Sequence, residues 1–205
     1  MALLGSGVRY AGERPAGAFK SLAGRLARMT AAAAATISLA LSAYAEQAPA
    51  LEQQVKAAFL FRFGAYVEWP QQAFAGAESP LTIGVVDSEE LAEELLRVVV
   101  SRTIDGRPIA VRRVRPGELP SDIHVLFIGQ SASSQSADLL RQTKGRPVLT
   151  VTESAAGLSD GSVINFVLVD KRVRFEVSLE AAERNRLKIA APLLSVALRV
   201  RDKAQ

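Results

Sequence analysis

Along the chain the apolar positions change period, and each change marks a different kind of element. Leu51, Val55, Phe59, Phe63 and Tyr66 lie three or four apart, with Ala58, Phe61 and Val67 beside them. That is the period of an amphipathic helix with an aromatic inward face, and Pro70, just after the only tryptophan, Trp69, is its expected stop. From Leu81 to Val86 the run LTIGVV is short and continuous, which suits a strand buried on both faces. Asp87 is placed to cap the next helix with Glu90 reaching back, and that helix turns Leu91, Leu95 and Val98 or Val99 inward. Arg107 to Val114 alternates loosely and carries arginines, as a strand near a sheet edge would, and His124 to Ile128 is another buried strand.

Ser133 or Ser134 is expected to cap a helix through Leu139 and Leu140, closed by Gly145-Arg146-Pro147, with Val148 to Val151 as the next strand. Strand and helix in alternation, with short connections, imply a parallel sheet with helices on its faces. The end of the chain departs from this. Val163 to Val169 and Val173 to Val177 read as two strands joined by Asp170-Lys171-Arg172, followed by helical segments at about Ser178–Arg186 and Pro192–Val200. The expected fold class is therefore α/β: three layers, a mainly parallel sheet, a C-terminal β-hairpin and an N-terminal aromatic amphipathic helix.

The N-terminus changes the picture of where this fold works. Lys20, Arg25 and Arg28 precede the uncharged segment Met29 to Leu41, and Ser42-Ala43-Tyr44-Ala45 follows with small residues at the two positions a signal peptidase reads. A positive flank, an apolar segment of about 7–15 residues and such a site form the secretory pattern, whereas a spanning helix needs about 20 apolar residues. Residues 1–45 are thus expected to be a signal peptide cleaved after Ala45, and residues 46–205 a single exported domain.

Charge then has to be counted again. The chain has 25 Lys+Arg against 21 Asp+Glu, a net of +4. Five of the basic residues and one acidic residue fall in residues 1–45, which leaves twenty of each in the remainder. The basic character belongs to the leader, so a nucleic-acid partner loses its electrostatic basis. With no cysteine, neither a disulfide nor a thiolate zinc site can form.

Candidate chemistry is sparse. The single histidine, His124, opens a buried strand, a position that suits a structural role. Gly129-Gln130-Ser131-Ala132-Ser133 follows a strand and opens a helix, yet it lacks the final glycine of a nucleophile elbow, and no histidine follows it. No calcium-loop spacing, Walker pattern or dinucleotide fingerprint is present. Glu89, Glu90, Glu93 and Glu94 read as the solvated face of one helix. The chain is read as a non-enzyme without cofactor or metal, and carboxylates converging from distant segments are the one catalytic route left open.

Binding is easier to motivate. In open α/β sheets ligands sit beyond the carboxyl ends of the strands. Here those ends supply Asp87 and Ser88, then Gln130 and Ser131, then Thr152, Glu153 and Ser154, which either line a small polar pocket or serve as caps and turns. Tyr66 and Trp69, at the end of the aromatic helix, suit a protein interface. Arg174 and Glu176 alternate onto one face of a hairpin strand with Asn165 able to lie opposite, and a surface ion pair is the plainer account of them.

Several segments occur together in a familiar order. Val55-Lys56-Ala57-Ala58-Phe59-Leu60 runs into Tyr66-Val67-Glu68-Trp69-Pro70, then come Leu81-Thr82-Ile83-Gly84-Val85 and His124-Val125-Leu126-Phe127-Ile128. Pro147-Val148-Leu149-Thr150-Val151, Ile164-Asn165-Phe166-Val167, Val173-Arg174-Phe175-Glu176-Val177 and Leu187-Lys188-Ile189 complete the series. In this order the chain resembles the YfiR-like family of periplasmic regulators over about Leu51 to Val200. The resemblance implies a repressor that binds the periplasmic part of an inner-membrane diguanylate cyclase and lowers cyclic di-GMP output, with an outer-membrane lipoprotein able to sequester it. It also implies cysteines that tune stability or redox response in the best-known relatives, and this chain has none. The alternative is a periplasmic small-molecule-binding sensor that passes a ligand signal to a membrane receptor or kinase. A homodimer is left open.

Overall fold

A computed structural model describes residues 50–202 apart from Pro116, so the expected leader lies outside the described residues. The first element is a helix, α1, over residues 50–65. The strands that follow are β1 (Val67–Glu68), β2 (Leu81–Val86), β3 (Thr103–Ile104), β4 (Arg107–Val114), β5 (Val125–Ile128) and β6 (Leu149–Thr152), then β7 (Ile164–Val169), β8 (Arg172–Ser178), β9 (Lys188–Ile189) and β10 (Arg199–Arg201). Between them lie helices α2 (Glu89–Val99), α3 (Ser133–Thr143), α4 (Leu179–Arg184) and α5 (Ala191–Val196).

Eight strands form one sheet in the order β10-β8-β7-β6-β5-β2-β4-β3. The pairs from β4 through β2, β5 and β6 to β7 are parallel, while β7–β8 and β3–β4 are antiparallel. The continuous apolar runs occupy the centre because both faces there are covered. Ile83, Val85, Val125, Phe127, Leu149 and Val151 belong to one core cluster with Leu60 and Phe63 of α1 and Leu91 and Leu95 of α2. Their alternating neighbours Val86, Leu126 and Ile128 belong to a second cluster with Leu139 and Leu140 of α3. Mainly parallel α/β is thus the observed class.

The hairpin turn is Asp170-Lys171, with φ of 49° and 60°. Two left-handed residues in a two-residue loop give the turn whose twist matches the flanking strands. Asn165 pairs with Glu176 across it.

Five expectations need correction. Helix α1 stops at residue 65, short of Pro70, because Val67–Glu68 leaves to pair with β9 as a separate two-stranded ribbon. Its buried face is also rotated: Leu51 is 62% exposed and Tyr66 40%, while Lys56, Ala57, Leu60 and Phe63 are buried. Asp87 does not cap α2. It adopts φ 56°, which aspartate tolerates, and leaves Ser88 at the N-cap without a side-chain bond. Nor does a serine hydroxyl cap α3, which begins at Ser133 after a 3-10 turn over Gln130–Ala132. Finally, the last helix ends at Val196, and the following Arg199–Arg201 forms β10 parallel to β8, so the hairpin is not the last piece of the sheet. Ser178 does cap its helix, accepting from the Ala181 N–H at 3.2 Å.

Candidate functional site

At the carboxyl ends of β5 and β6 the sheet opens into a cleft of about 320 Å3. Its floor and one wall come from α1, through Glu52 and Lys56, and from the strand ends, through Gln130, Glu153, Ser154 and Asn165. The hairpin supplies the other wall, with Phe166, Val167, Leu168, Val173 and Glu176.

Lys56 organises this place. It is 5% exposed, on the same face of α1 as Leu60 and Phe63, and its Nζ donates to Glu52 Oε1 and to Glu153 Oε2, each at 2.5 Å. Glu52 is one helical turn earlier, the spacing at which an i, i+4 pair meets. The second oxygen of Glu153 accepts from the Gln130 N–H at 2.8 Å. One carboxylate thereby ties α1, the end of β6 and the turn leading into α3 together. Burial alone would lower the pKa of the Lys56 ammonium, but its hydrogen bonds to Glu153 and Glu52 overcome this and hold the pKa above the ordinary lysine value.

The close approach of the strand ends depends on Gly129. A Cβ there would lie 2.8 Å from the Asp87 carbonyl oxygen. Farther along, Thr152 faces inward, its hydroxyl donating to Asn165 Oδ1 at 2.8 Å.

Of the strand-end residues expected to share a pocket, Gln130, Glu153 and Ser154 line this cleft. Thr152 lies buried beneath it, and Asp87, Ser88 and Ser131 are not in its lining. Glu176, expected at a protein interface, lines the same cleft and accepts from Arg199 Nε at 3.2 Å, so its ion-pair partner is not Arg174. Arg174 is exposed on β8 opposite Val167.

Tyr66 and Trp69 come together at the other end of the sheet, in a groove with Phe74, Leu81, Ile104 and Arg107. Trp69 is half-buried against Phe74, ring centroids 6.5 Å apart, and its Nε1 is buried without an acceptor. Arg107 holds the loop here, its guanidinium 3.9 Å from the centre of the Phe74 ring and donating to the carbonyls of Gly76 and Ser79. His124 stacks on Phe74 at 4.3 Å. Its Nδ1 accepts from the Thr82 N–H at 3.1 Å, so Nε2 carries the proton and donates to the Ala73 carbonyl at 3.0 Å. Burial pushes its pKa down, which keeps the ring neutral. The geometry is that of a structural brace.

Among the described residues no group of three or more His, Asp or Glu could hold a metal ion, and no helix is long and apolar enough to cross a membrane. A family model described as YfiR/HmsC-like matches residues 53–198, more than two thirds of the chain and nearly all of the fold above. The chain belongs to the YfiR/HmsC-like family. At family level this places it among periplasmic regulators in cyclic di-GMP signalling, a class of regulators rather than enzymes.

The most informative residue of this YfiR/HmsC-like protein, Lys56, is not among the site residues expected from the sequence. A signal for it exists. Lys56 stands four before Leu60 and seven before Phe63, inside an apolar stripe, with Glu52 four residues earlier. A lysine in a buried stripe with an acid one turn away calls for a second acid from elsewhere in the fold, and Glu153 is that acid.

Proposed function

We propose that this YfiR/HmsC-like protein binds the periplasmic part of an inner-membrane diguanylate cyclase and holds it in an inactive state, lowering cyclic di-GMP output. The match of the family model across residues 53–198 carries this reading. The Tyr66–Trp69 groove supports it: an exposed tyrosine, a half-buried tryptophan with an unmet donor and an arginine beside them have the composition of interface hot spots. Repression is then a population shift, with the protein preferring the inactive conformation of its target. An outer-membrane lipoprotein that competes for the repressor would release the enzyme.

The test is co-purification of the tagged, exported protein from mildly cross-linked cells, with bound membrane proteins identified by mass. A diguanylate cyclase with a periplasmic domain is expected, together with its loss in a Trp69→Ala, Tyr66→Ala variant that still folds. Repeated recovery of no membrane signalling protein would overturn the reading. The second reading, a ligand sensor that reports to a membrane receptor or kinase, is favoured by the cleft around Lys56 and Glu153, at the place where α/β sheets take ligands.

A further inference from the structure

Three carboxylates line the cleft, those of Glu52, Glu153 and Glu176, and a single ammonium stands among them. Lys56 already donates to two carboxylates, and its side chain is only 7% exposed, so its charge is offset and little of it is offered to an incoming anion. Glu176 is offset by Arg199, but that guanidinium is outside the lining and 67% exposed, where water screens it. The lining therefore keeps an excess of negative charge beside an apolar wall made by Phe166, Val167, Leu168 and Val173.

Asn165, 3% exposed, lines the cleft with its Oδ1 accepting from Thr152. The hydroxyl oxygen of Ser154 is buried and unpaired, and buried polar groups in folded proteins are nearly always satisfied, so it marks a place for another atom, one that can donate to it.

We propose that this cleft binds a small organic cation, an ammonium or guanidinium head on a short apolar body. The head takes its acceptors from the unsaturated oxygens of Glu52 and Glu176, and the body lies on the hairpin wall. An ammonium brings three donors and no acceptor, which suits a lining rich in carboxylates. An anion would meet like charge, and a neutral hydrocarbon would strip water from carboxylates while giving nothing back. A second charge at the far end of the ligand would meet no carboxylate on the apolar wall, so a one-headed cation is preferred to a diamine. The volume is at the low end for ligand sites and fits a compact molecule. The inference is independent of the cyclase reading and stands or falls by a different experiment.

That experiment titrates the purified exported protein with n-hexylamine, and in parallel with sodium hexanoate, hexanol and 1,6-diaminohexane. Thermal unfolding reads binding, and the side-chain amide signals of Asn165 in a nitrogen–proton correlation spectrum locate it. The expected result is a saturable rise in melting temperature with hexylamine, a weaker one with the diamine, none with hexanoate, and movement of the Asn165 signals. Glu176→Gln should weaken the amine by roughly tenfold or more, the loss of one charge-assisted hydrogen bond. Leu168→Lys, at an exposed position of the wall, should weaken it too without disturbing the core. Equal effects of hexanoate or hexanol, unmoved Asn165 signals at saturating amine, or undiminished binding in both variants would each overturn the proposal.

Discussion

Replacing Lys56 by methionine keeps the length of the side chain and removes its charge. Glu153 would then keep only the Gln130 N–H, and Glu52 would lose its partner. Removing one member of a buried ion pair costs about 3–5 kcal/mol, because the other charge is left uncompensated. Here the two carboxylates retain some contact with water, 15% for the Glu153 side chain and 29% for Glu52, which points to the lower end, about 3 kcal/mol. For a domain of this size that is roughly 6–12 °C in melting temperature. Urea unfolding at neutral pH measures it, with Glu153→Leu alone and the Lys56→Met, Glu153→Leu double variant closing the cycle. The double variant is expected to recover much of the loss, since the more buried carboxylate is gone and only Glu52, whose side chain is 29% exposed to water, is left without its partner. The effect also has a signed pH dependence. Because the folded pKa of Lys56 is raised above the ordinary value of about 10.5, its stabilisation is complete below that value and is lost as pH rises through the folded pKa. A single Lys56→Met variant within about 1 kcal/mol of the parent, or a double variant as unstable as the sum of the singles, would refute this account of the latch.

Two further outcomes follow from the same geometry. His124 is buried and neutral with its pKa lowered, so the unfolded chain binds the extra proton and stability should fall as pH drops below about 6.5, a slope that His124→Gln should flatten in urea titrations. Gly157→Ala would put a Cβ 2.1 Å from Thr152 Oγ1 and 2.5 Å from Asn165 Oδ1, and should cost about 1–3 kcal/mol by overpacking, whereas Gly76→Ala, whose nearest neighbour is 3.6 Å away, should cost about 1 kcal/mol or less in the same assay.

The sheet was legible where burial is complete. Leu81–Val86 and Val125–Ile128 read as strands because every position is apolar or small, and both faces are in fact covered. The phase of α1 was not legible from hydrophobicity alone. Phe59 and Phe61 outweigh Ala57 and Gly64 on any apolar scale, yet Ala57 and Gly64 face inward because the backbone comes close: a Cβ on Gly64 would lie 2.7 Å from Ile104 Cδ1. Strand β10 was hidden for the opposite reason. Pro192 marks a helix start, and three exposed residues, Arg199 to Arg201, carry no signal of their own; their pairing with β8 is set by the tertiary structure. As for the cleft, Glu153 and Gln130 were reachable from the rule that ligands gather at strand ends. Glu52 and Lys56 were not reachable from that rule; a charged helical residue is ordinarily solvated, and the spacing of Lys56 to Leu60 and Phe63 is the signal that this one turns inward.

Strand β5 is four residues long, and it has a different device at each end. His124, just before it, braces the loop under the Tyr66–Trp69 groove; Gln130, two residues after it, holds Glu153 in the cleft. The chain takes six steps from one anchor to the other, roughly 20 Å at about 3.3 Å per step. A molecule in the cleft and a protein on the groove therefore have no volume in common, and neither can displace the other by occupying its space. Any influence between them has to pass through the fold, along β5 or along α1, which carries Lys56 at the cleft and leads into Tyr66 at the groove, as a finite coupling energy. Raising the ligand concentration would then drive partner affinity to a plateau rather than to zero. The height of that plateau is a property of these two connecting elements, tunable by residues that touch neither guest.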